Sequence, residues 1–320
     1  MRETTQADLA VPDDLIQPFR IDRHALRGRL VRLGPAADSI LSRHAYPEAV
    51  ATLLGETLVL AAVLAGALKY DGVFTLQVRG DGPVNLMVAD VTSAGALRGY
   101  ARFDAARLGA AAGGTGNPVP RLLGAGHLAF TVDQGPDTER YQGMVDLVGA
   151  TMAECAHHYF RQSEQLEAAI HIAAGRGTDS DGRTVWRAGG LMVQRVPWEG
   201  GASDDDASIF DAEDAEDGWR RALVSMASAR PEELLDPDLA PRRLLYRLFH
   251  EDGVRVYRTR SLADRCRCSA GRVEAMLRSL PRAEVAALKT DGAVVVVCQF
   301  CNASYRYDDA ALSALYEDGD

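Results

Sequence analysis

Lysine is nearly missing from this chain: of 35 basic residues, only Lys69 and Lys289 are lysines. That reads as a compositional habit and not as a phosphate-binding device. Bases are also outnumbered, with 45 acids against 35 bases and a formal charge of -10. A whole-protein nucleic-acid or anionic-membrane binder is therefore disfavoured, although a local basic patch is still possible. No uninterrupted apolar run reaches the ~20 residues of a membrane span; the longest, 57–68, ends at Lys69. The opening residues, Met1-Arg-Glu-Thr-Thr-Gln, carry no apolar signal region, so a cytoplasmic protein without a membrane partner is expected. Five cysteines are too few for a disulfide framework in a chain this long, and in the cytosol clustered cysteines bind metal or do redox chemistry. Catalytic signatures are missing too. There is no His-Glu-x-x-His, and the glycine-rich stretch 109–116 lacks the Gly-Lys-Ser/Thr of a phosphate loop. Asp179-Ser-Asp181-Gly182 lacks the glutamate of a calcium loop and reads as a turn. The expectation is a protein that is not an enzyme.

What is present is the composition of an ordinary globular protein. At 320 residues, 47% apolar and 25% charged, the chain suits about two domains with sizeable cores. Residues 46–68 place Val50, Leu53, Leu54, Leu58, Ala61, Leu64 and Leu68 at three- and four-residue intervals, which predicts a helix. Residues 73–79 alternate, with Phe74, Leu76 and Val78 on one side. Gly80-Asp-Gly-Pro83 supplies turn dihedrals, and 84–90 reads as the returning strand. Further strands are predicted at 97–103, 126–133 and 142–148, a helix at 152–165, a flexible loop at 109–116 and a loose leader at 1–18. Strands joined by turns, with helices at the ends, define an antiparallel α+β class.

The composition changes after Pro197. Residues 199–217 hold nine acids and no base, a run that repels itself and reads as a solvated spacer. Helix-like stretches follow at 218–229 and 241–250. Leu223, Val224 and Met226 are the apolar residues of the first, and Leu244, Leu245, Leu248 and Phe249 those of the second. Leu234, Leu235 and Leu239 lie between them, interrupted by Pro231, Pro237 and Pro241. Amphipathic material broken in this way makes a poor core of its own and is expected to pack on a neighbouring domain.

Four cysteines fall near the C-terminus, as Cys266-Arg-Cys268 and Cys298-Gln-Phe-Cys301. Two close pairs can present four thiolates to one tetrahedral zinc at ~2.3 Å per bond. Ser269 can cap a following helix with Val273, Met276, Leu277 and Leu280 on one stripe. Asp291-Gly292 then turns the chain into strand 293–297, which delivers the second pair, and 305–307 returns beside it. A region this small struggles to hold a core unaided, so a metal staple is expected. Four thiolates leave no coordination position for water, which disfavours a hydrolytic metal centre. A structural staple, a nucleic-acid-binding zinc ribbon and a redox switch remain open. The switch is physically permitted: sulfurs on a zinc tetrahedron are ~3.7 Å apart by geometry, and a disulfide needs ~2.05 Å.

Cys155, in Ala153-Glu-Cys-Ala-His157-His158, reads as a small buried helix residue, and the adjacent histidines make a poor ligand pair. Arg255, Arg258, Arg260, Arg265 and Arg267 read as a solvated basic face or as partners of the acidic run.

Together these residues resemble the 33 kDa redox-regulated chaperonin family of bacterial heat-shock holdases. The Cys-x-Cys-Ser, the helix bearing Arg272-Val273 and the Cys-x-x-Cys after a valine-rich strand carry the likeness. So do His44-Ala-Tyr-Pro47, Gly80-Asp-Gly-Pro83, Asp133-Gln-Gly-Pro136, Glu139-Arg-Tyr-Gln-Gly143 and Tyr159-Phe-Arg-Gln-Ser-Glu164. The resemblance implies an α+β core domain at 1–197 for dimerisation and client contact, a metastable helical linker at 198–262 and a small zinc-binding redox domain at 263–320. It implies one Zn2+ on Cys266, Cys268, Cys298 and Cys301 in a reduced monomer. Oxidation would form Cys266–Cys268 and Cys298–Cys301 disulfides, release zinc, unfold the linker and give a homodimer that holds unfolded clients without ATP. Leu223, Val224, Met226, Leu234, Leu235, Leu244, Leu245, Leu248 and Phe249 are the candidate client-binding residues. The competing reading is a constitutive zinc-ribbon adaptor for nucleic acid or a protein partner. A thiol–disulfide oxidoreductase is a weaker third, because Cys298 follows a strand and not a helix start.

Overall fold

The computed structural model describes residues 13–24, 26–112, 116–135, 138, 140–161, 167–179, 181–195 and 212–317. The chain divides into two compact units, Met1–Asp264 and Arg265–Asp320.

The first unit is built around one apolar helix between two mainly antiparallel sheets. The first sheet contains β1 (Leu15–Ile21), β2 (Leu26–Leu33), β8 (Ala168–Thr178), β9 (Thr184–Arg195), β10 (Val254–Val256) and β11 (Arg260–Ser261). Its order is β10-β1-β2-β9-β8, with β11 also on β1. The second contains β3 (Val73–Gly80), β4 (Val84–Thr92), β5 (Ala96–Phe103), β6 (Gly126–Asp133), β7 (Tyr141–Asp146) and β12 (Ala263–Asp264), ordered β12-β5-β4-β3-β6-β7. After α1 (Pro35–Ser42), helix α2 (Glu48–Ala67) runs between the sheets and shares one core with both. Excluding a span because the uninterrupted apolar run is short needs correction. The helix has 20 residues and is long and apolar enough to cross a bilayer by length and composition, yet most of it is buried inside this fold. An apolar helix enclosed on all sides has the same composition as one enclosed by lipid.

The expected leader at 1–18 also needs correction, because β1 begins at Leu15. The periodicity reading missed β1, β2, β8 and β9 for one reason: their sheet is covered on both faces. On β9, Trp186, Ala188 and Met192 face the α2 core, and Leu191 and Val193 face a second core. A strand buried on both sides has no polar alternation to read. The β8–β9 connection is the turn expected at Asp179, whose amide donates to the Arg183 carbonyl at 3.0 Å.

The second core lies under the three linker helices α5 (Ala212–Ala227), α6 (Pro231–Leu235) and α7 (Pro241–Phe249). Residues 196–211, most of the acidic run, lie outside the described residues; its end, 212–217, is the start of α5 and not spacer. Past α7 the chain adds β10 and β11 to the free side of β1, then β12 to β5. The segment from Val254 to Asp264 thus completes an edge of each sheet. One shorter helix also differs from expectation. The glycine-rich stretch is partly helical as α3 (Ala105–Ala112), because the Asp104 carboxylate accepts from the Ala106 and Arg107 amides at 2.9 and 3.1 Å. Helix α4 (Met152–Tyr159) continues as π-helix at 160–161, and 162–166 of the expected helix lie outside the described residues.

The second unit carries α8 (Ala270–Arg278), α9 (Arg282–Ala287), the hairpin β13 (Val294–Val297) and β14 (Ser304–Tyr307), and α10 (Asp309–Glu317). Its buried apolar cluster is Val273, Leu277, Val285, Val294, Tyr307, Leu312 and Leu315. This core is far smaller than either core of the first unit.

Candidate metal centre and the docked linker

Two local devices gather the four cysteines. Cys266 and Cys268 precede α8, whose start is fixed by Ser269: its hydroxyl accepts from the Arg272 amide at 3.3 Å. Cys298 and Cys301 lie on the turn between β13 and β14. There the Asn302 amide donates to the Cys298 carbonyl and the Cys298 amide to the Ala303 carbonyl, both at 2.9 Å, with Asn302 in the left-handed region at φ 58. All four Sγ atoms lie within 4.8 Å of one another. Cys266 is 3.6 Å from Cys298, and Cys268 is 3.2 Å from Cys301. The Tyr305 hydroxyl donates to the Cys268 sulfur at 3.1 Å. Both sulfur–sulfur separations lie at or just below the ~3.7 Å edge of a zinc–thiolate tetrahedron, so the group could hold one metal ion. Burial raises the thiols of Cys268 and Cys301 above the usual cysteine range. Four crowded sulfurs in this setting need a cation to stay ionised together.

The candidate client-binding residues form one packed face, with an exception. Met226, Leu234, Leu244, Leu245, Leu248 and Phe249 are buried against Phe19, Ile21, Leu26, Leu30, Leu191 and Val193 of the first sheet, with Leu223 and Leu235 partly buried beside them. Phe249 stacks on Phe19 at 5.5 Å between ring centroids. Val224 is not among them: it is 72% exposed on the opposite side of α5.

Polar contacts that the sequence reading missed hold this face down. Arg32, 1% exposed on β2, donates to the carbonyl of Asp236 and, at 3.2 Å, to that of Glu233. Arg187 on β9 donates to the Leu235 carbonyl and to the Asp13 carboxylate, both at 2.6 Å. The two arginines thus take up carbonyls that the short helix α6 leaves free at its C-terminal end. A third contact joins His24, Asp252 and Arg221: His24 is 3.1 Å from Asp252 and 2.8 Å from Arg221. The available signal was an arginine inside an apolar segment, Leu30-Val-Arg-Leu33 or Val185-Trp-Arg-Ala188. A buried guanidinium must find several acceptors, so a second layer had to cover it.

Cys155 is fully buried, as read from the sequence, and burial pushes its thiol up to about 11. That is an inert structural cysteine. Its neighbour His157 faces β8, where Nε2 accepts from the Ile170 amide at 2.7 Å.

Fold and site together define a two-unit α+β protein whose small C-terminal unit is organised around a cluster of four cysteines. The chain belongs to the Hsp33 protein family, whose match spans residues 14–308. It is 40% identical over 303 residues to the 33 kDa chaperonin of Caulobacter vibrioides, covering 94% of this chain and 97% of that one. It is 37% identical to the 33 kDa chaperonin of Ectopseudomonas mendocina, covering 95% of each. The crystal structure of the 33 kDa chaperonin from Thermotoga maritima superposes with a TM-score of 0.75 at 25% identity, covering 96% of this chain and 99% of that one.

Proposed function

We propose that this protein is a cytoplasmic, redox-regulated, ATP-independent holdase that binds unfolding proteins during oxidative and heat stress. In its reduced state one Zn2+ is held by Cys266, Cys268, Cys298 and Cys301. The ion keeps the sulfurs as thiolates, the form that attacks oxidants. A peroxide supplies the oxidising equivalents. One thiolate attacks a peroxide oxygen, the O–O bond breaks and hydroxide leaves, giving a sulfenic acid. The neighbouring thiolate then displaces the second oxygen as hydroxide and closes a disulfide. Repeated for Cys266–Cys268 and Cys298–Cys301, this removes the donor set and zinc departs.

Metal loss costs the small unit roughly 10–16 kcal/mol of folding free energy, comparable to the ~5–15 kcal/mol that stabilises a whole domain. Disorder then spreads up the chain, because Asp264 of β12 is only two residues from Cys266. Once β12, β11 and β10 detach, α5–α7 lose their C-terminal anchor, and both the linker face and the sheet beneath it are uncovered. Two copies of the first unit associate, and the apolar surfaces hold clients. The division at 1–197, 198–262 and 263–320 belongs to this reading, with the middle part switching between docked and free.

The observation that carries the proposal is the apolar linker face, largely buried against the first sheet and continuous in sequence with the cysteine cluster. The test follows zinc release, thiol loss, mass in solution and suppression of client aggregation together in peroxide at raised temperature. All four are expected to change in step. Full holding activity with zinc bound and thiols free would overturn the reading.

A further inference from the structure

The face of the first sheet that carries the α2 core continues beyond the end of that helix as a patch of arginines. Arg27 on β2 is paired in register with Arg20 on β1, and Arg20 with Arg255 on β10. Three cations therefore lie side by side across three neighbouring strands, about 4.8 Å apart. Arg29 is two residues along β2 from Arg27 and so shares its face, and Arg260, paired with Ile16, shares it too. Like charges in direct cross-strand register destabilise a sheet. Here they are scarcely offset. Among the described residues Asp22 is the single carboxylate within 4 Å of any of them, at 3.7 Å from Arg20 and 3.2 Å from Arg255.

Arg29 is the most telling member. Its stem runs along α2, with the Cδ atom 3.2 Å from the point where a Cβ on Gly66 would lie. Its Nη1 is buried and has no hydrogen-bond partner, so the end of α2 does not satisfy it. Burial, together with the charges of Arg27 and Arg260, lowers its pKa to about 10. A cleft of roughly 320 Å3 opens on Arg20, Arg27 and Arg29, lined also by Pro18, Phe19, Gly28 and Tyr257. A buried guanidinium donor without an acceptor, beside further arginines in a protein of net charge -10, is costly unless a ligand completes it.

We propose that this cleft is a binding site for a multiply charged oxyanion of the phosphate type. The ligand accepts from the forks of Arg27 and Arg20, which line the cleft beside Tyr257, and its charge offsets that of the Arg29 guanidinium in the cleft wall. Arginine suits this task because its planar donors match phosphate oxygens in pairs. The site shares no residue with the cysteine cluster.

The test is calorimetric titration of the reduced, zinc-loaded full chain with inorganic pyrophosphate, and separately with inorganic phosphate, at constant ionic strength. Saturable binding and an upward shift of Tm are expected for the wild type. Arg27→Ala, at an exposed position, is expected to weaken binding about tenfold, the loss of one charge-assisted contact. Arg29→Met keeps the stem packing; it is expected to abolish binding and to raise the ligand-free Tm, because an unsatisfied buried cation is gone. Arg121→Ala, elsewhere on the unit, is expected to bind as the wild type does. No saturable binding of either anion would overturn the proposal. So would equal binding by wild type, Arg27→Ala and Arg29→Met, which would mark non-specific attraction. If Arg29→Met does not fold, the Arg27→Ala comparison decides alone.

Discussion

Arg187, on a central strand of the first sheet, donates to the backbone carbonyl of Leu235 at 2.6 Å. One hydrogen bond thereby ties the rigid core to the middle of the linker. Its counterpart from Arg32 reaches Glu233 and Asp236. Docking of α5–α7 therefore combines apolar burial, which is tolerant of position, with fixed polar contacts that select one placement.

Removing that contact should loosen the linker without unfolding the core. Arg187→Ala leaves the carbonyl of the partly buried Leu235 without its donor and the Asp13 carboxylate without its partner, a loss of about 1–3 kcal/mol. Hydrogen exchange on the reduced, zinc-loaded protein is expected to show faster exchange in 212–264, with the β3–β6 strands unchanged. Uniform protection across both regions would show that the arginine is not a latch.

Core truncation and surface truncation on the linker should differ sharply. Leu245 is fully buried and Val224 is 72% exposed. Leu245→Ala is expected to cost about 2–5 kcal/mol and to give holding activity in the reduced state. Val224→Ala is expected to change stability within ~0.5 kcal/mol. Thermal unfolding and aggregation assays on the reduced proteins check both.

Metal removal should dismantle the small unit first. Cys298→Ser leaves three thiolates and is expected to lower zinc affinity and to abolish dispersed NMR signals from 265–320 under reducing conditions. Wild-type dispersion at equal zinc content would show that Val273, Leu277 and Val285 hold the unit unaided.

Acid and base should act through different buried groups. Burial lowers the pKa of His171 and of His157 below the ordinary 6.5. Their folded-state values lie below the unfolded ones, so their contribution is complete above pH 6.5 and is lost as pH falls through the folded values. His171→Gln is expected to flatten the decline of Tm below pH 6.5. Glu56 has the opposite sign. Burial raises it from 4.5 to about 7, so its contribution is complete below pH 4.5 and is lost as pH rises through about 7. Glu56→Gln is therefore expected to raise Tm by a few degrees at pH 8 and by much less at pH 4.5.

The cysteine pairs, Ser269 and the valine strand announced the four-cysteine cluster because such a cluster is built locally, with spacings set by short turns. The hairpin β3–β4 was legible for a similar reason: one face is apolar and Gly80-Asp-Gly-Pro83 makes the turn. Strands β1, β2, β8 and β9 were not, since a sheet enclosed on both sides writes no alternation into its residues.

What the sequence determined alone was therefore the class of fold, the four sulfurs and the amphipathic character of 218–250. Only the tertiary structure decided that α2 is wrapped by protein, that Val224 points away while Leu245 points in, and that Arg32 and Arg187 grip the linker backbone. The reason is that a side chain's chemistry is local, whereas its partner is set by contacts from distant parts of the chain. The Leu235 carbonyl lies 48 residues from the arginine that satisfies it.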